Sequence, residues 1–111
     1  MAWSPVPAGD GRPQPHAFTT DSAIFPLTGL SNSALSLHLQ DINNNNVLTI
    51  CTGTYTITDG PNGKATFTPS AGDLSTGAFS KPGLYKAYPV VTLSTGPVGM
   101  DSQILSVISE P

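Results

Sequence analysis

Leu35, Leu37 and Leu39 alternate strictly with Ser36, His38 and Gln40, and this one stretch constrains the chain more than any other. Apolar residues every second position mark a strand with one buried and one wet face, because successive side chains leave a strand on opposite sides. An amphipathic helix would need apolar residues at three- and four-residue spacing, and no segment supplies it. Eleven prolines and eleven glycines divide the remainder into short runs. Ordinary helices have little room between such punctuation.

The chain has 111 residues, a length that suits one domain. A domain of this size buries roughly 65% of its unfolded surface, enough for a two-layer core without staples. Cys51 is the only cysteine, so an internal disulfide and a cysteine cage for a metal are both excluded. Its neighbours Thr49, Ile50, Thr52 and Gly53 offer no positive charge to activate a thiol, and a small buried apolar residue is expected there.

Charged residues make up 10% of the chain and the formal net charge is −3. The four basic residues, Arg12, Lys64, Lys81 and Lys86, are scattered. Nucleic-acid binding needs a basic stripe that displaces counterions, and this chain has none. Ser, Thr and Asn supply the polarity instead, which suits a pleated surface. No apolar run is long enough to span a bilayer as a helix. Met1 to Pro7 lacks a basic and an apolar leader region, so synthesis in a reducing cytoplasm is expected.

Residues 1–15 carry Pro5, Pro7, Pro13 and Pro15 around Gly9-Asp10-Gly11. Proline fixes φ, lacks an N–H and restricts its predecessor, which predicts an extended arm outside the core. A domain over 16–111 follows. Phe18, Ile24, Phe25 and Leu27 suggest a first strand or two half-strands, with Pro26 at a kink. Asn43 to Asn46 predict a loop, Val47 to Thr58 one strand or two broken at Gly53, and Asp59-Gly60-Pro61-Asn62-Gly63 a tight turn. Ala65 and Phe67 continue as a strand. Ser70 to Pro82 reads as loop, with Leu74 and Phe79 as plugs into the core. Gly83 to Leu93 and Gln103 to Ser109 read as strands, separated by a turn or wide loop at Gly96 to Gly99. The expected core is Leu35, Leu37, Leu39, Tyr55, Ile57, Phe67, Tyr85 and Val107. About seven short strands without a helical segment predict an all-β antiparallel sandwich or barrel.

The succession of motifs narrows that choice. Pro26-Leu27-Thr28-Gly29-Leu30 leads into the leucine strand, followed by Ile57-Thr58-Asp59 and Gly63-Lys64-Ala65-Thr66-Phe67-Thr68-Pro69. Asp73-Leu74, then Pro82-Gly83-Leu84-Tyr85-Lys86-Ala87-Tyr88, and finally Asp101 to Val107 complete the order. Over about residues 20 to 109 this resembles the immunoglobulin-like N-terminal domain of phage baseplate upper proteins and related tail modules. The resemblance implies an immunoglobulin-like β-sandwich and a structural role in a virion, in the baseplate, tail or capsid decoration. Other virion subunits, or further copies of the chain, would be its partners.

Few residues offer chemistry. His16 and His38 are the only histidines. Asp41 lies three residues beyond His38, on the opposite strand face, so the two make no dyad. Zinc spacing, a phosphate loop and a nucleophile elbow are all missing from the sequence, and isolated Asp-Gly pairs read as turns rather than calcium ligands. No catalytic residue, metal or cofactor is expected. The residues proposed to contact a partner are Trp3 and Val6 in the arm and Phe18 just beyond it, since tryptophan anchors interfaces and extended segments lie across neighbouring subunits. The rival reading is a carbohydrate- or receptor-binding module using Tyr55, Tyr85, Tyr88 or the Asn run.

Overall fold

In a computed structural model the chain folds into three antiparallel or mixed sheets, and residues 5–42, 47–75 and 77–108 are described. The larger sheet contains β1 (Val6–Pro7), β5 (Leu35–Asp41), β6 (Val47–Ile50), β9 (Gly83–Leu93), β10 (Gly96–Gly99) and β11 (Gln103–Ile108). Its order is β1-β11-β9-β5-β6, and β10 continues along β9 past β11. A second sheet contains β2 (Gln14–Ala17), β8 (Lys64–Thr68) and β7 (Thr54–Asp59), in the order β2-β8-β7. A small hairpin joins β3 (Thr19–Thr20) to β4 (Ala23–Ile24). The expectation of an all-β chain holds.

The leucine alternation places β5 as the sequence requires. Leu35, Leu37 and Leu39 are buried and lie opposite Val91, Pro89 and Ala87 of β9. Tyr85, Leu105 and Val107 extend the same inner face. From the smaller sheet Tyr55, Ala65 and Phe67 join the same core, with Phe18 and Phe79 packed among them. Tyr55 is the hub. Its ring lies 5.2 Å from Phe18 edge-on and 5.2 Å from Phe67. Of the expected core only Ile57 is half-buried, at the rim.

Three local expectations change. Of the arm expected over 1–15, the described residues from Pro5 on do not stand clear of the core: Val6 is buried, β1 pairs parallel with β11, and Gln14 and Pro15 belong to β2. Proline excludes a helix and a central strand, but an edge strand needs no donor on its outer side. Pro7 and Pro15 occupy such edges. Gly96 to Gly99 is strand β10, paired with Val90 to Leu93, and the reversal falls at Ser94-Thr95. The stretch after β8 is not wholly loop, since it contains the one-turn helix α1 (Ala71–Ser75) and a 3-10 turn at Ala78–Ser80. The expected Asn43–Asn46 loop lies outside the described residues.

Helix α1 starts where it does because Ser70 and Asp73 bond reciprocally. Asp73 N–H donates to Ser70 Oγ at 3.2 Å, and Ser70 N–H donates to the Asp73 carboxylate at 3.0 Å. This is a capping box with aspartate as the acidic member. The same buried carboxylate accepts the Thr52 N–H at 2.9 Å and the Gly53 N–H at 2.8 Å. It thereby ties the β6–β7 crossover to the helix. Gly53 is required there, because an added Cβ would collide with the Thr68 carbonyl and lie 2.7 Å from Phe67 Cζ. Replacing Asp73 by Ala leaves three backbone donors without their acceptor, and the expected loss is about 3 kcal/mol in urea unfolding. An unchanged midpoint would refute this account of the crossover.

Candidate protein-contact face

The two sheets turn chemically different faces to solvent. On the smaller sheet the outward residues are Thr54, Thr56, Thr58, Thr66 and Thr68, with Pro15, Ala17 and Lys64. Threonine there satisfies the pleat and stays hydrated. Pro15, Ala17, Thr58 and Lys64 also border an open depression of about 250 Å³, in which Lys64 is the only charged group.

The larger sheet does the opposite. Register places Ile50, His38 and Tyr88 in one row, and Leu48, Gln40, Lys86 and Ile104 in the next. Leu84 lies opposite Ser106, and Ile42 and Ile108 border them. Seven large aliphatics are exposed among the described residues: Ile24, Ile42, Leu48, Ile50, Leu84, Ile104 and Ile108. All but Ile24 belong to this face, at 40–57% exposure. Lys86 is its one charged side chain from the central strands. Four strands at about 4.8 Å spacing make a face on the order of 300 Å² in projection, with His38, Gln40 and Lys86 between the aliphatics of β6 and those of β9 and β11. An apolar area of a few hundred Å² is the size of the largest patch on an ordinary monomer, and such patches often serve as interaction sites.

Sequence reasoning missed this face for a definite reason. Leu48, Ile50, Leu84, Ile104 and Ile108 sit in runs where apolar residues occupy both faces, such as Ile104-Leu105 and Val107-Ile108. Such runs resemble fully buried strands. Only the register reveals which member faces out.

The sequence-expected contact residues do not gather here. Val6 and Phe18 are buried, and their side chains pack within the domain. Trp3 lies outside the described residues. Tyr55 and Tyr85 are buried too, so neither offers a ring to a sugar, while Tyr88 is half-buried beside His38 at 5.5 Å. Cys51 is buried as expected, and burial with the nearby Asp73 charge pushes its thiol pKa up.

Ser36 Oγ stands 3.3 Å from His38 Nε2 on the apolar face. A nucleophile needs its base oriented by a third group within a substrate cleft. This pair lies on an open sheet surface instead, with the Tyr88 ring beside it. No cluster of three His, Cys, Asp or Glu that could hold a metal occurs among the described residues. No helix of the described residues is long and apolar enough to cross a membrane.

His16 is a core residue. Its Nδ1 lies 2.8 Å from Tyr55 Oη, and its ring stacks on Phe67 at 6.2 Å. Burial lowers its pKa to about 3 and raises that of Tyr55. The unfolded chain therefore binds a proton near pH 6.5 that the native chain refuses until about pH 3. The stability of the neutral ring is present above pH 6.5 and is lost as pH falls, by about 1.4 kcal/mol per unit. Urea titrations between pH 7 and 5 should show a loss of about 2 kcal/mol, and His16→Phe should flatten it. Equal slopes in both proteins would contradict the assignment.

Asp101 organises the hairpin at one end of the domain. Its carboxylate accepts the Ser22 N–H at 2.8 Å, the Thr19 hydroxyl at 2.8 Å and the Asp21 N–H at 3.0 Å. These bonds, led by that of Ser22, hold the carboxyl pKa below its usual value. They also hold Asp21 and Ser22 at φ 49° and 65°. Two adjacent left-handed residues make the primed turn that suits a two-residue hairpin, here without the usual glycine. Asp101→Ala should accelerate amide exchange at Ser22 roughly tenfold, the equivalent of one lost bond. No acceleration would mean the hairpin holds itself. No family model and no curated protein matches this sequence.

Proposed function

We propose that the chain is an immunoglobulin-like β-sandwich that acts without catalysis as a structural component of a phage virion, binding neighbouring subunits through the outer face of its larger sheet. The observation that carries this reading is the contrast between the two outer faces, one threonine-rich and one aliphatic. A domain that needed only solubility would have no use for the second. The charge-poor face also suits burial against protein, since few ions would have to be desolvated.

Two features support the immunoglobulin-like part. In chain order β2, β5, β6, β7, β8, β9 and β11 divide between the sheets as strands B, C, C′, D, E, F and G of a variable-type domain do. Tyr85, near the start of β9, donates its hydroxyl to the Lys81 carbonyl at 2.8 Å. A tyrosine bonding back to upstream backbone at the E–F corner is a hallmark of that fold. Phage membership rests on the motif resemblance over about residues 20 to 109.

Mass spectrometry of purified particles from the encoding phage tests the proposal. The chain should be present, and Leu84→Lys with Ile104→Lys should reduce its incorporation at least roughly tenfold, the loss of two anchors at an interface. Absence from the particles, or normal incorporation of the double variant, would overturn it.

A further inference from the structure

Several strand edges among the described residues are guarded. Pro7 follows Val6 on β1, Pro15 lies within β2, and Pro97 lies within β10. On β7 the Ile57 N–H donates to Asn32 Oδ1 at 2.9 Å, so a side chain covers that edge. Proline and local capping are the usual means by which proteins blunt strand edges. Strand β6, Val47-Leu48-Thr49-Ile50, has neither proline nor charge, and among the described residues no strand pairs with its outer side.

The direction of its backbone groups follows from the ladder. Cys51 N–H donates to the Leu37 carbonyl at 2.9 Å, which makes that pair a hydrogen-bonded one. Antiparallel pairs alternate, so Thr49 opposite Leu39 is also bonded inward, and Leu48 and Ile50 turn their N–H and C=O outward. On the other side Ile42 N–H donates to the Leu84 carbonyl at 3.2 Å, the parity this alternation requires.

We propose that β6 pairs antiparallel with β6 of a second copy, joining two larger sheets into one across a two-fold axis at Thr49. Leu48 then lies opposite Ile50 of the second copy, with about four new ladder bonds between groups that already point outward. Both residues lie on the outer face, so each pair is aliphatic against aliphatic and no like charges meet. An isologous contact of this kind closes at two copies and runs the apolar face continuously across both. The inference deepens the assembly reading by naming one partner, a second copy of this chain. It uses an edge rather than the Leu84–Ile104 end of the face.

Leu48→Pro separates the possibilities, because it deletes an outward donor and leaves the β5 ladder intact. By sedimentation, the full chain should dimerise below about 1 mM, a modest affinity for a small interface. Leu48→Pro should stay monomeric with unchanged circular dichroism. In a Cys51→Ala background, Thr49→Cys should oxidise to a disulfide-linked dimer, since both copies place that residue at the axis. A wild-type chain that stays monomeric, a Leu48→Pro chain that dimerises normally, or a Thr49→Cys chain that stays reduced would each overturn the proposal. If Leu84→Lys with Ile104→Lys abolished the dimer while Leu48→Pro did not, edge pairing would fail and the outer-face reading would stand.

Discussion

Strand β9 carries two ladders at once, and the rest of the structure is arranged around it. One side pairs with β5 from Leu35–Val91 to Asp41–Tyr85, and the other with β11 and then β10. Eleven residues in one strand make this possible. Its inward side chains, Tyr85, Ala87, Pro89 and Val91, form the floor on which the aromatic cluster of the smaller sheet rests. Tyr85 fixes the strand's beginning through its bond to Lys81, so the chain enters β9 at a defined point.

Two polar anchors hold the connections to this frame. Asp73 binds the crossover between sheets, and Asp101 binds the hairpin beside β11. Each spends a carboxylate on backbone N–H groups that no strand satisfies. In a chain with few charged residues, these two carboxylates hold backbone in place. His16 follows the same logic: it fills a slot between Tyr55 and Phe67 at the cost of staying neutral.

Much of the fold was legible in the sequence where a pattern had one physical meaning. The Leu35–Leu39 alternation, the Asp59–Gly63 turn and the strand from Gly83 to Leu93 all fall where expected. Prolines misled in residues 1–15, because the rule that removes them from central strands admits them at edges, where β1 and β2 lie. Asp73 stands in the sequence only as part of a motif, since its role depends on Thr52 and Gly53, about twenty residues away in sequence. The exposed aliphatic face was illegible for a related reason. In Gly83–Leu93 and Gln103–Ile108, inward and outward positions are both apolar, and only pairing distinguishes them. The sequence points to Trp3, Val6 and Phe18 as contacts, yet among the described residues the exposed large aliphatics other than Ile24 lie on the face of the larger sheet.

The central claim is that Leu48, Ile50, Leu84 and Ile104 are open in the free chain and covered in its assembly. Carbene footprinting of the four side chains, on the dilute chain and on purified particles, measures this directly. The account expects strong labelling of the dilute chain and severalfold protection in particles, while the threonine face of the smaller sheet labels alike in both. Equal labelling of the four aliphatics in the two states, or protection confined to the threonine face, would contradict it.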